Sequence, residues 1–283
     1  NVILPNIVCS IVPQAVLSCG LKPLVVDIDE SLSLDLECLQ RHRSEENKII
    51  LLVYLYGCPA EGTGELLKYA RANGLLVVED AAQSFGARIG GKYAGSLGDV
   101  GIFSFSKGFF GLLRGGAITT NSEDVADRAR HFRDNLEDGK LEGLRMRLRY
   151  AQANAPDRIK RLYRRIFPAA KRNLARLAQY DLSGEYFHLD EDPPLYHRPL
   201  MNFELRKCLQ QIGKREVISR KREILVQEIM ETISRRSDLK TLSSYNPDLV
   251  YTRIPTFTQE GKLSTWREIL GRGGVYVDRV YRP

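Results

Sequence analysis

The chain alternates between two kinds of segment. Short, unbroken apolar runs occur at Val2 to Leu4, Pro23 to Ile28, 48–57 (KIILLVYLYG), Leu75 to Val78 and Val100 to Phe105. Runs of this length without polar alternation predict strands covered on both faces. Between them lie stretches that read as helices. One starts near Pro13 and closes at Cys19-Gly20, and another runs from Gly64 to Asn73 and is closed by Gly74. Ser122, followed by Glu123 and Asp124, predicts a capped helix start. Strands alternating with helices predict a largely parallel sheet of the α/β class. Gly90-Gly91 predicts the turn of a small hairpin. Further on, residues 249–257 and 274–280 predict strands of a smaller unit around a helix containing Trp266.

In open α/β sheets the loops after the strand C-termini carry the chemistry. The run Leu75–Val78 ends abruptly in Glu79-Asp80, with Gln83 three residues on, and the run from Val100 ends in Ser104-Phe105-Ser106-Lys107. Two strand ends thus predict Asp80, Gln83, Ser104 and Lys107 at one crevice. A lysine can form a Schiff base with the aldehyde of pyridoxal phosphate and then shuttle a proton. A buried aspartate keeps the pyridine nitrogen protonated, and a serine hydroxyl can donate to phosphate. Singly, each residue has a plainer reading: a strand ending in Asp is usually a helix cap, and a lone Lys after a strand is usually solvated. Only the ordered combination points to a cofactor. Gly86 to Lys92 also matches the spacing of a phosphate-binding P-loop, but Tyr93 stands where a metal-binding Ser or Thr is needed, so the hairpin reading is preferred.

The wording of these motifs resembles the DegT/DnrJ/EryC1/StrS sugar aminotransferase family, of the aspartate-aminotransferase-like fold. Val78-Glu79-Asp80-Ala81-Ala82-Gln83 is similar to its cofactor strand, Gly95-Ser96-Leu97-Gly98-Asp99 to the loop that follows, and Gly115-Gly116-Ala117 to the strand start after the lysine. The resemblance covers most of residues 1–135 and, more weakly, 196–283, where residues 202–236 resemble the single long helix that leads into the family's smaller C-terminal unit. It implies a PLP-dependent transferase of fold type I, with a mostly parallel large domain and a smaller C-terminal α+β domain, the chain being truncated at both ends. It places Asp80 on the ring nitrogen, Gln83 on the phenolic oxygen, Ser104 on the phosphate and Lys107 in the Schiff base. At Cys9 the family often carries an aromatic that stacks on the cofactor ring, and a thiol has no planar face for that. The implied function is amino transfer from an amino acid, such as glutamate, to a keto sugar, nucleotide-linked, in polysaccharide or antibiotic sugar synthesis. The implied assembly is a homodimer with its site at the interface. Some relatives lack the lysine and act as dehydratases, against which Lys107 argues here.

Composition changes this picture in one region. Apolar content of 43% and charged content of 27% over 283 residues suit a globular protein with ample core. Five cysteines without a CxxC pair and four scattered histidines give no metal-site pattern, and reduced thiols in a cytoplasmic protein are the simpler reading. Residues 140–180, however, hold twelve Lys and Arg against two Asp and Glu, a net of +10 where the whole chain carries +7. Ile159, Leu162, Tyr163, Ile166, Ala170, Leu174 and Leu177 recur there at helical spacing. Three readings compete: a helical insertion packed on the body, a peripheral contact with anionic membrane at the inner face, and nucleic-acid binding, for which no motif is present. The expected organisation is 1–137 as a cofactor-binding large domain, 138–195 as basic insertion and connector, and 196–283 as linking helix and small domain. The alternative to an enzyme is an inactive, membrane-docked binding or regulatory protein that keeps the fold.

Overall fold

The computed structural model describes residues 1–59, 62–107, 109–112, 114–136, 147, 150–151, 199–242, 245–258, 262, 264–266 and 268. Most of the basic stretch 140–180 and the whole of 274–280 lie outside these residues, and so do the expectations placed on them.

Six strands form the main sheet: β1 Val2–Pro5, β2 Pro23–Val26, β3 Ile49–Val53, β4 Leu76–Asp80, β7 Val100–Ser104 and β8 Gly116–Thr120. A separate two-stranded hairpin, β5 Arg88–Ile89 with β6 Lys92–Tyr93, turns at Gly90-Gly91. The sheet order is β2-β1-β3-β4-β7-β8. All its pairs are parallel except β7 with β8. The chain moves from β1 to one side for β2 and to the other for β3, so the carboxyl ends of the central strands open a crevice at this switch.

Helices cover both faces, as the unbroken apolar strands demand. On one face α2 (Leu36–Arg41) and α3 (Thr63–Ala72) bury Leu39, Leu66, Leu67 and Ala70 against Ile3, Ile50, Leu52, Val77 and Phe103. On the other, α1 (Ile11–Ser18) sets Val12 and Val16 on Val2, Leu4, Leu51 and Val78. Beyond the reach of α1 that second face is open: Ile102 and Ile118, register partners on β7 and β8, are 39% and 54% exposed. Helix α4 (Glu123–Asp134) starts where expected, with the Ser122 hydroxyl accepting from the Val125 N–H.

Two readings of the C-terminal part are corrected. The stretch 202–236 is not one helix but two, α5 (Asn202–Gly213) and α6 (Arg215–Ser234), broken at Lys214. The predicted strand 249–257 is confined to β10 (Thr256–Thr258), which pairs with β9 (Leu239–Thr241). Residues 248–252 instead cross back to the large sheet: the N–H groups of Val250 and Thr252 donate to the carbonyls of Gly57 and Tyr56 at 3.0 and 2.7 Å.

Candidate active site

The two carboxylates that end β4 point to opposite faces, as strand geometry requires of consecutive residues. Glu79 is fully buried beneath the Gly95–Asp99 loop. Its carboxylate accepts from the Tyr54 hydroxyl at 2.8 Å and from the N–H groups of Gly95, Leu97 and Gly98 at 2.7, 2.7 and 2.6 Å. Burial, and then the charge of Glu79, push the Tyr54 phenol far above its ordinary range. Glu79 is therefore a structural anchor, a role that sequence reasoning did not assign to it.

Asp80 faces the other way, with Val78, at the carboxyl edge. Its carboxylate accepts from the Ala82 N–H at 3.1 Å, and its own carbonyl accepts from the Tyr54 N–H at 3.1 Å. Burial raises its pKa, while the Ala82 bond and the Lys107 charge lower it. Among the described residues no cation lies within ion-pair distance of this carboxylate. It is thus a buried acid suited to receive a cationic ligand.

Asp80 is the register partner of Ile102 on β7. Ser104 lies two residues further along the same face, so both strand ends reach one edge. The Ser104 hydroxyl lies 3.0 Å from that of Ser106. Lys107 follows on an exposed bend. Its loop is held by phenylalanines on either side: Phe105, Phe109 and Phe110 are buried with Phe85 in an aromatic cluster, at ring separations of 4.6 to 5.5 Å. The loop's far end is pinned by Arg114, which makes a two-pronged pair with the fully buried Glu204 of α5 at 3.1 and 2.9 Å. Gln83 is half-buried beside this edge, and its amide oxygen accepts from the Thr252 hydroxyl at 2.9 Å.

Asp80, Gln83, Ser104 and Lys107 are thus gathered at the ends of adjacent strands β4 and β7. Cys9 comes from a different strand end. It is exposed in the loop between β1 and α1, on the same carboxyl edge but with β3 between its strand and β4. Thr252 was missed, because nothing in the sequence marks a threonine 169 residues from Gln83 as its neighbour.

Asp80 and Lys107 at adjacent strand ends of a mostly parallel sheet form the carboxyl-edge arrangement of an α/β enzyme site, and the comparisons with known proteins agree. Residues 1–150 match the DegT/DnrJ/EryC1/StrS aminotransferase family, and the chain belongs to that family. It is 34% identical to the UDP-N-acetyl-3-dehydro-alpha-D-glucosamine 3-aminotransferase of Acidithiobacillus ferrooxidans over 48% of this chain and 37% of that protein. It is 38% identical to the GDP-perosamine synthase of Caulobacter vibrioides, over 47% of this chain and 36% of the relative. The match spans about a third of the length of these curated relatives. Among solved structures, the aminotransferase TlmJ of Streptoalloteichus hindustanus superposes with a TM-score of 0.68 at 17% identity, over 100% of this chain and 65% of that one. The E. coli GDP-4-keto-6-deoxy-D-mannose-3-dehydratase with bound hydrated PLP gives 0.65 at 18% identity, over 97% and 64%. Those two likenesses establish the shared fold.

Proposed function

We propose that this chain carries the cofactor-binding part of a pyridoxal-phosphate-dependent aminotransferase. Its reaction would move an amino group from an amino acid such as glutamate to a keto sugar, nucleotide-linked. The observation that carries this reading is the meeting of Asp80 and Lys107, from neighbouring strand ends, at one carboxyl edge, where the lysine's charge acts on a buried carboxylate. The names of the two curated relatives support a nucleotide-linked sugar as substrate. The domain limits 1–137, 138–195 and 196–283, a homodimer and a cytoplasmic setting belong to the same proposal.

The residues present suit the cofactor. Burial leaves Asp80 in need of a cation, which a protonated pyridine nitrogen supplies. Gln83 offers an amide and Ser104 a hydroxyl, the former for a ring oxygen and the latter for a phosphate. When bound, the cofactor supplies an electron sink for the substrate carbon. Everything else falls to the chain. Lys107 would be the amine that holds the cofactor aldehyde and, when free, the base that carries the proton to and from the reacting carbon. Asp80 would keep the ring nitrogen protonated. The aromatic anchor under Lys107 fixes where its ammonium can reach. A lysine at 107 also favours amine transfer over the dehydration for which the E. coli neighbour is named.

The test is covalent. Protein mixed with pyridoxal phosphate is expected to turn yellow, to lose that band on borohydride reduction, and to yield on peptide mapping an adduct on Lys107. An adduct on Lys92 or Lys140 instead would overturn the assignment.

A further inference from the structure

Residues Asp248–Thr252 form a heavily constrained junction with Tyr56 and Gly57. Three residues there take left-handed backbone: Tyr56 (φ 60°), Gly57 (φ 80°) and Tyr251 (φ 47°). For the two tyrosines this conformation is costly and is held only by surrounding contacts. Those contacts are present. Besides the paired donors Val250 and Thr252, the Arg88 N–H donates to the Asp248 carbonyl at 2.8 Å, and the buried Tyr251 hydroxyl accepts from the Asn246 N–H at 2.8 Å. Tyr251 packs with Val226 and Met230 of α6 and with Cys58. Approach is so close that a Cβ on Gly57 would lie 2.9 Å from the Gln83 carbonyl and 3.2 Å from the Tyr251 nitrogen.

This construction carries a side-chain contact with the candidate site, the Thr252 hydroxyl donating to the Gln83 amide oxygen at 2.9 Å. We propose that Thr252 is a positioning residue for the cofactor: it holds the Gln83 amide and occupies its oxygen, leaving the nitrogen as the end that meets the ring. The inference rests on the cofactor reading above. An amide presents an acceptor at one end and two donors at the other. An ionised phenolic oxygen accepts only, so the nitrogen must face it, and a hydroxyl donor on the amide oxygen selects that orientation. A freely turning glutamine would lose the preference and would give up its rotamer entropy only on binding the cofactor. Thr252 is itself fixed, because its own N–H is committed to Tyr56 and its neighbour Tyr251 is buried. The segment after α6 thereby reaches the chemistry of a site otherwise built from β4 and β7.

The test reads the cofactor's spectrum, which a purely structural role would not move. An N–H donated to the ring oxygen holds it ionised and lowers the pH at which the Lys107-linked chromophore titrates. Thr252→Val and Thr252→Ala, each loaded with pyridoxal phosphate, are expected to shift that midpoint upward by about half to one pH unit, the size of one hydrogen bond. Thr252→Ser, which keeps the hydroxyl, is expected to titrate as the wild type. Melting of the cofactor-free variants checks that each is folded. A wild-type midpoint in either folded hydroxyl-free variant, or a downward shift, would overturn the role of Thr252 while leaving the site reading intact. A wild-type protein that forms no borohydride-sensitive band at Lys107 would overturn both.

Discussion

At the scale of single residues, Asp80 is the acid whose burial bears most directly on the candidate site. Burial raises its pKa, so the fold favours its protonated form in the absence of a cationic ligand. The sign follows from linkage. Its contribution to stability is complete below the ordinary carboxylate pKa of about 3.9 and is lost as pH rises through the raised native value. Cofactor-free wild type is therefore expected to lose stability relative to Asp80→Asn across that interval, and then to run parallel to it. Melting curves at a series of pH values measure this directly; a wild type that gains on the variant with rising pH would show that burial does not govern the group. On the proposed cofactor reading the same substitution would remove the charge that keeps the ring cationic. Turnover is then expected to fall by orders of magnitude, with little change in KM, since the loss falls on the transition state.

At the scale of elements, the loop that carries Lys107 is held at both ends, by phenylalanines near the lysine and by Arg114 further on. Glu204 also accepts from the Met201 N–H at 3.0 Å and from the Tyr150 hydroxyl at 3.3 Å, and Arg114 donates to the Pro199 carbonyl at 3.1 Å. Removing the acid strands a largely buried guanidinium. Glu204→Ala is expected to cost about 3–5 kcal/mol, read from urea unfolding, with Glu204→Gln nearer to wild type. Elements of this sort were unevenly legible. The strands, the hairpin at Gly90-Gly91 and the Ser122 cap follow from local pattern and turn chemistry, which act within a few residues. The break at Lys214 has no proline to announce it, and helical periodicity continues across it. Leu249–Thr252 reads from its sequence like a strand, yet Tyr251 takes left-handed backbone and the segment's backbone partners are Tyr56 and Gly57, which no local signal names. The Glu79 anchor escaped for a similar reason: its donors lie sixteen to nineteen residues downstream, in a loop whose glycine-rich wording reads only as a turn.

At the scale of the molecule, the site draws on segments far apart in the chain. A ligand that touches Asp80, Gln83, Ser104 and Lys107 together binds the folded state and not the unfolded one, so mass action raises the melting temperature with ligand concentration. At about a hundred times its dissociation constant the gain is about 2.7 kcal/mol. Pyridoxal phosphate is expected to shift the melting temperature of the wild type in this manner, and Lys107→Ala to forfeit most of the shift. An equal shift in both would place the main binding contact elsewhere. No helix among the described residues is long and apolar enough to cross a membrane.

The adjacency of Glu79 and Asp80 has a consequence for how β4 finds its place. A slip of one position along its neighbours would put either Asp80 or Val78 where Glu79 sits beneath the glycine loop. An aspartate there is one methylene short of its four donors, and each donor left without a partner in the interior costs about 1–3 kcal/mol. The misaligned sheet thus carries a penalty larger than most single contacts in the fold. Glu79 thus acts as a proofreader of alignment and keeps Asp80 at the carboxyl edge.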